Sequence, residues 1–318
     1  MVALRIASRG SELALWQSRA VEAALRAADP SLEVRIDVIR TTGDRIQDVP
    51  LAKIGDKGLF TKELDNALLA GDADLAVHSL KDVPTRLPDG LALAAVTVRE
   101  DPRDVVLLAP GRTGGLDALP SGARVGTSSL RRRAQLQALR PELEVLDLRG
   151  NLNTRLAKLD RGDYDAIILA AAGVRRLGWE DRISESLDPG QWLPAVGQGA
   201  LAVVCCEDRA EVLDRLRALH DPHTAACTTA ERALLRALEG GCQVPIGALG
   251  RVDGDRLVLD GLVADTDGTC ILRVQESGPV DDAQAIGRRA ADALLARGAG
   301  EVLAAVRARA AAPEPAAP

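Results

Sequence analysis

Apolar and polar positions along this chain follow two periods, and the period switches repeatedly. Residues 4–8 form a short, mostly apolar run that predicts a buried strand, and residues 13–28 carry helical spacing behind Ser11, a side chain suited to cap a helix N-terminus. Residues 34–39 alternate apolar with polar, as a half-buried strand does. Residues 44–58 are charged and interrupted by Pro50, Gly55 and Gly58, which predicts a loop. A helix over 61–69 and a short strand over 75–77 follow.

The strand–helix pattern then starts again, with strands at 124–126, 145–148 and 166–169 and helices at 129–139 and 151–159. Such alternation predicts α/β domains with mostly parallel sheets, two halves facing each other across a cleft. Residues 224–238 place Ala230, Leu234, Leu235 and Leu238 on one helical face, and Gly240 and Gly241 stop that helix. Strand-like runs at 248–252, 257–263 and 270–274, then helices from 283 onward, predict a separate α+β domain. The Ala/Pro-rich stretch 310–318 predicts a disordered tail.

Composition narrows the partners. The 318 residues are 47% hydrophobic and 27% charged, which suits two or three domains with sizeable cores. A net charge of −6 and an aromatic content of 2% argue against a nucleic-acid partner, which needs a basic field and stacking faces. No apolar run approaches the ~18 residues of a membrane span. The N-terminal residues lack the layout of a secretory signal, and the five cysteines include no Cys-x-x-Cys; both features fit a reducing cytoplasm. Lysine occurs only at 53, 57, 62, 81 and 158, four of the five crowded into residues 53–81. That is either chance in an arginine-biased chain or a need for flexible point charges there.

Five segments could carry chemistry. Ser8-Arg9-Gly10-Ser11 joins a strand to a helix, either as a plain cap or as an anion site built from backbone N–H groups, a hydroxyl and an arginine. Thr127, Ser128 and Ser129 followed by Arg131, Arg132 and Arg133 repeat that layout in the other half. Cations oppose the dipole at a helix start, so these arginines imply either a solvated surface helix or a site for several carboxylates or phosphates. His78 to Pro84 follows a strand, where ligands of open α/β sheets gather; Lys81 and Asp82 are there either for function or for an Asp-x-Pro turn. Cys242, behind two glycines and before Val244-Pro245, is either a small buried hydrophobe or an exposed thiol modified once and then kept. In His220-Asp221-Pro222-His223, Pro222 breaks the spacing a metal would need, and a helix cap by Asp221 or Thr224 is the simpler account; no metal is expected.

In order along the chain, several segments resemble the porphobilinogen deaminase family. They include residues 5–9 through 13–17, Lys57 to Leu64, His78 to Pro84, Gly126 to Arg132, Leu148 to Asn151 with Thr154 and Arg155, Leu193 to Ala200, and the loop of Cys242. The resemblance implies two periplasmic-binding-protein-like α/β domains around a cleft plus a smaller C-terminal α+β domain. On that pattern residues 1–98 with 199–217 make the first domain, 99–198 the second and 218–309 the third. It implies a dipyrromethane cofactor held by Cys242 through a thioether, and porphobilinogen as substrate. Four porphobilinogen units are added with loss of ammonia, and hydroxymethylbilane is released.

By the same resemblance Asp82 is the catalytic carboxylate. Lys81, Thr127, Ser128, Ser129, Arg131, Arg132 and Arg155 hold the cofactor. Arg9, Ser11, Arg149, Arg155 and Arg176 hold substrate carboxylates, and Lys53, Lys57 and Phe60 belong to a lid. A monomer without nucleic-acid or membrane partners is implied. The rival reading is a non-catalytic two-lobed protein that binds or senses an anionic solute.

Overall fold

The computed structural model describes residues 3–41, 61–238 and 244–311. The expected lid, with Lys53, Lys57 and Phe60, the Cys242 loop and residues 312–318 lie outside the described residues.

In the first lobe, β1 (Ala3–Ser8), β2 (Glu33–Val38), β3 (Leu75–Ser79), β4 (Leu91–Val96) and β10 (Leu201–Cys206) form one sheet in the order β2-β1-β3-β10-β4. In the second lobe, β5 (Asp104–Leu108), β6 (Arg124–Gly126), β7 (Glu144–Leu146), β8 (Ala166–Ala170) and β9 (Glu185–Ser186) form another, ordered β7-β6-β8-β5-β9. The two orders are the same pattern. Each lobe sets its second, first and third local strands side by side, and a strand next to a crossing between the lobes slots in before the fourth.

Four strands of each sheet run the same way, so the sheets are mostly parallel as expected, and the inserted strand opposes them. β1 pairs in parallel with β2 and β3, but β10 runs antiparallel to both β3 and β4. Likewise β6 is parallel to β7 and β8, whereas β5 is antiparallel to β8 and β9. A strand–helix repeat reports how successive strands connect, not the direction of a strand arriving from the other lobe.

Local chemistry accounts for the elements that position the cleft. In α1 (Glu12–Ala28) the Ser11 hydroxyl accepts from the Ala14 amide, and Val21 and Leu25 pack onto Leu4, Ile6 and Val77 of the sheet. Burying each such side chain contributes about 1.5–3 kcal/mol. The opposite sheet face, with Ala7 and Ala76, is covered by Leu64 and Leu68 of α2 (Lys62–Leu69). Every residue of β5 and of β8 is buried, as central strands covered on both faces must be. β7 is shorter than the 145–148 expected, because the Leu148 amide is taken by the Ser128 hydroxyl at 2.9 Å.

The second lobe adds α3 (Leu130–Leu139), α4 (Leu152–Asp160) and α5 (Ala171–Arg176). After α6 (Ala210–Leu216), α7 (Pro222–Ala237) begins at the cap Asp221, whose side chain accepts from the Thr224 amide, so the capping account of that segment holds. A three-stranded antiparallel sheet follows: β11 (Ile246–Asp253), β12 (Arg256–Ala264) and β13 (Ile271–Pro279). α7 and α8 (Ala283–Ala296) pack on it around Leu234, Leu259, Ile286 and Leu294. The final helix α9 runs Ala299–Ala311, so Ala310 and Ala311 belong to a helix and not to the expected tail. No helix among the described residues is long and apolar enough to cross a membrane.

The third domain grips both lobes. Arg232 of α7 donates to the carbonyls of Val83 (3.0 Å) and Pro84 (2.7 Å), the turn directly after Asp82. On the other side the Ala248 amide donates to the Pro194 carbonyl at 3.1 Å.

Candidate active site

Lys81 and Asp82 sit in a single 3-10 turn, Leu80–Asp82, at the end of β3. Leu80 is buried beneath them and anchors the turn, leaving both polar side chains partly exposed. The Lys81 ammonium donates to Gln198 Oε1 at 3.3 Å. Burial, then the charges of Arg132 and Arg131, push its pKa down to about 8 against the opposing pull of Asp82 and Asp104.

Arg131 and Arg132 lie in the first turn of α3, behind Ser129 as cap. Instead of projecting into water they are 4% and 6% exposed. Between them stands Asp104, the first residue of β5 and fully buried. Its Oδ2 accepts from Arg131 Nη1 at 2.7 Å and from Trp192 Nε1 at 2.8 Å; its Oδ1 accepts from Arg132 Nη2 at 2.7 Å and from Gln198 Nε2 at 2.8 Å. Burial works to raise the Asp104 pKa, but the two guanidiniums outweigh it and hold the group well below the usual carboxylate range. Arg131 also donates to the Leu193 carbonyl and Arg132 to the Ile168 carbonyl. Arg132 Nε is buried with no hydrogen-bond partner among the described residues.

Arg155 lies on α4, whose cap Asn151 accepts from the Thr154 amide at 2.9 Å. Its Nε donates to the Gly150 carbonyl at 2.9 Å. Burial, then repulsion from Arg132 and Arg149, lowers its pKa to about 10, and Asp82 of the opposite lobe works against that fall. The charge of Asp82 thus acts on Arg155 from the other lobe. Lys81, Arg131, Arg132, Arg149 and Arg155 form one electrostatic group with Asp82 and Asp104, five cations to two carboxylates. Such an excess in a partly desolvated cleft favours anionic guests, since a charge pair ~4 Å apart gains about four times more at a protein-surface dielectric than in water.

The hydroxyls behave differently from one another. Thr127 Oγ1 accepts from the Ser129 amide at 3.3 Å, while the Ser128 hydroxyl both donates to the Leu148 carbonyl and accepts from its amide. Ser129 caps α3 without a side-chain hydrogen bond, which leaves its hydroxyl available at the helix start. Ser11 Oγ accepts from the Ala14 amide as the cap of α1, a bond that does not use its own O–H.

Arg176 and Arg9 act on other charged or polar groups. Arg176 Nη2 donates to the Gly199 carbonyl at 2.6 Å and its guanidinium lies 5.6 Å from the Trp16 ring centre. Burial lowers its pKa to about 10, and its charged neighbour is Glu100. It lines a separate cavity of about 510 Å³ with Trp16, Arg175 and Glu180. The charge of Arg9 acts on His78, a 5% exposed ring on β3 whose Nε2 meets no partner among the described residues. Burial first, then Arg9, pushes the His78 pKa down to about 4.

Sequence reasoning missed Asp104 and the pair formed by Arg99 and Glu231, and gave Gln198, within the matched segment Leu193 to Ala200, no role of its own. The carboxylate that neutralises Arg131 comes from 27 positions away in the chain. Among the described residues no group of three or more His, Cys, Asp or Glu could hold a metal.

Two α/β lobes, and a cluster of five cations and two carboxylates drawn from both, define a protein built to handle a multiply anionic small molecule in its cleft. Residues 4–214 match the family model described as the porphobilinogen deaminase dipyrromethane cofactor-binding domain, and residues 225–296 match the porphobilinogen deaminase C-terminal domain. The chain belongs to the porphobilinogen deaminase family. It is 53% identical over 300 residues to the porphobilinogen deaminase of Syntrophobacter fumaroxidans, covering 94% of this chain and 96% of that one. With that of Xanthomonas oryzae pv. oryzae it shares 54% over 306 residues, covering 96% of this chain and all of the relative. Among solved structures it is similar to the periplasmic VFT2 domain of Bordetella pertussis BvgS, with a TM-score of 0.43 at 16% identity over 68% of this chain and 86% of that one. A similar likeness, TM-score 0.42 at 14% identity over 68% of this chain and 89% of that one, holds for the methionine-binding protein MetQ.

Proposed function

We propose that this chain polymerises four porphobilinogen molecules head to tail, with loss of ammonia, on a dipyrromethane primer held by Cys242, and releases hydroxymethylbilane. The observation that carries the reading is the seven-residue group in which Asp82 lies among Lys81, Arg131, Arg132, Arg149 and Arg155. Each pyrrole ring of the substrate bears an acetate and a propionate, so guest and cleft are complementary in charge. The buried Arg132 Nε without a partner and the available Ser129 hydroxyl suit the same acid groups.

When bound, the dipyrromethane supplies the pyrrole carbon to which the first substrate is joined. Lys81, Ser129, Arg131, Arg132 and Arg155, with Thr127 and Ser128, would hold its acid groups. Arg9, Ser11, Arg149, Arg155 and Arg176 would serve the incoming substrate. Asp82 is the catalytic carboxylate. In each addition the carbon–nitrogen bond of the protonated aminomethyl group breaks and a carbon–carbon bond forms, with ammonia leaving and one pyrrole C–H proton released. The substrate passes through electron-poor, positively charged forms, and a fixed anion in a dry cleft stabilises them. The Asp82 carboxylate can also accept pyrrole N–H bonds and relay the released proton.

The domain limits 1–98 with 199–217, 99–198 and 218–309, a cytoplasmic location and a monomeric state complete the proposal. Intact mass tests it. The purified chain should exceed its polypeptide mass by two linked pyrrole units, and Cys242→Ser should lack that excess. A chain weighing only its amino acids after growth with ample precursor would leave the rival solute-binding reading.

A further inference from the structure

We propose that Asp104 is a positioning residue for the acid-group site: it aims Arg131 and Arg132 from behind and, through Gln198, holds Lys81 in register with them across the two lobes. The role rests on the reading of Arg131, Arg132 and Lys81 as holders of carboxylates.

Four donors converge on the two oxygens of this fully buried side chain, all at 2.7–2.8 Å. Arg131 and Arg132 each commit one terminal nitrogen to it, and each commits another donation to a carbonyl of the second lobe. With those bonds made, the guanidinium planes cannot turn freely, and their remaining N–H groups keep fixed directions. A guanidinium presents its donors as a rigid planar fork, so fixing one edge aims the other.

Gln198 carries the arrangement to the other lobe. Its amide nitrogen donates to Asp104 and to the Pro102 carbonyl at 2.8 Å, which leaves its carbonyl oxygen facing the Lys81 ammonium. The amide cannot flip without setting its NH₂ against that cation. Asp104 thereby fixes the orientation of a side chain it does not touch. The charged groups acting on Lys81 are Asp82, Asp104, Arg131 and Arg132, so loss of the Asp104 charge leaves the ammonium facing two arginines with one fewer carboxylate to offset them.

The test uses the full chain with its lysine side-chain nitrogens ¹⁵N-labelled, a tractable probe because there are only five lysines. Asp104→Asn keeps the shape of the side chain, but its NH₂ must face two existing donors. The expected result is a folded protein whose cofactor-bearing fraction, read by intact mass after reconstitution with limiting precursor, falls about tenfold or more, as loss of charge-assisted bonds implies. The Lys81 titration midpoint should also move below its wild-type value. Full loading with an unmoved midpoint overturns the proposal. A purely structural role would lower the melting temperature without shifting Lys81. Should Asp104→Asn fail to fold, Gln198→Met decides: it leaves both arginine pairs with Asp104 in place and removes the oxygen facing Lys81, so the Lys81 midpoint should still fall, and an unmoved midpoint overturns the proposal. Failure of the wild-type chain to carry any pyrrole mass would instead sink the underlying reading, leaving the Lys81 shift as a separate measurement.

Discussion

Arg99 and Glu231 form a two-pronged ion pair, Nη1 to Oε1 at 2.6 Å and Nη2 to Oε2 at 3.2 Å, with the carboxylate wholly out of solvent. Glu231 also accepts from the Gly197 amide at 2.7 Å and the Gly250 amide at 2.8 Å. One side chain of α7 therefore ties both crossings between the lobes to β11. Breaking a buried pair strands its partner, at about 3–5 kcal/mol. Glu231→Gln should lower the chemical denaturation midpoint accordingly; a midpoint within error of wild type would show that the crossings do not depend on this pair.

Asp82→Asn should leave the fold and most of the cofactor intact while turnover falls by roughly 10²–10⁴, the range for loss of a positioned proton-transfer group. The variant keeps the size of the side chain and removes only its charge. Turnover assays beside intact mass separate the outcomes, and normal turnover would take Asp82 out of the mechanism.

Lys81 sets opposite pH trends for binding and stability. With its folded pKa at about 8, below the usual 10.5, the ammonium that meets an acid group is present below pH 8 and lost above it. Reconstitution of cofactor-free protein should therefore weaken as pH rises through 8. Between pH 8 and 10.5 the unfolded chain holds more protons at this position than the folded one, so the contribution of Lys81 to stability rises with pH in that window. Lys81→Arg, charged throughout, should abolish the weakening of reconstitution. Persistence of that weakening in the variant would assign it to another group.

His78 makes the fold acid-sensitive. Its folded pKa of about 4 lies below the usual 6.5, so the unfolded chain takes up a proton first as pH falls. The resulting loss of stability begins near pH 6.5 and is complete by about pH 4. His78→Gln should flatten the dependence of melting temperature on pH across that window. An equally steep curve in the variant would exclude His78 as its source.

The features that could be read in the sequence share one property: their determinants lie within a few residues. Ser11 caps α1 three positions before the amide it serves, and Asp221 does the same for α7. The face of Ala230, Leu234 and Leu238 appears in the helical period and is buried as that period implies. Lys81 and Asp82 were legible because a strand end followed by a turn is a local pattern. The arginines of α3 were legible as an anomaly, cations at a helix start, but the anion that explains them was not.

By itself the sequence determined the strand–helix rhythm, the caps, the separate C-terminal sheet and the membership of Asp82 and the arginines in a recognisable pattern. Only the tertiary structure decided that β10 and β5 enter their sheets antiparallel, that Arg176 sits against Trp16, and that Asp104 stands between Arg131 and Arg132. The last two contacts of that carboxylate, Trp192 and Gln198, lie 88 and 94 positions along the chain. Periodicity and capping are short-range consequences of backbone geometry and hydrogen bonding. Pairing across such distances is set by which buried surfaces and charges can satisfy one another once the lobes have closed on their cores, and no local pattern encodes that.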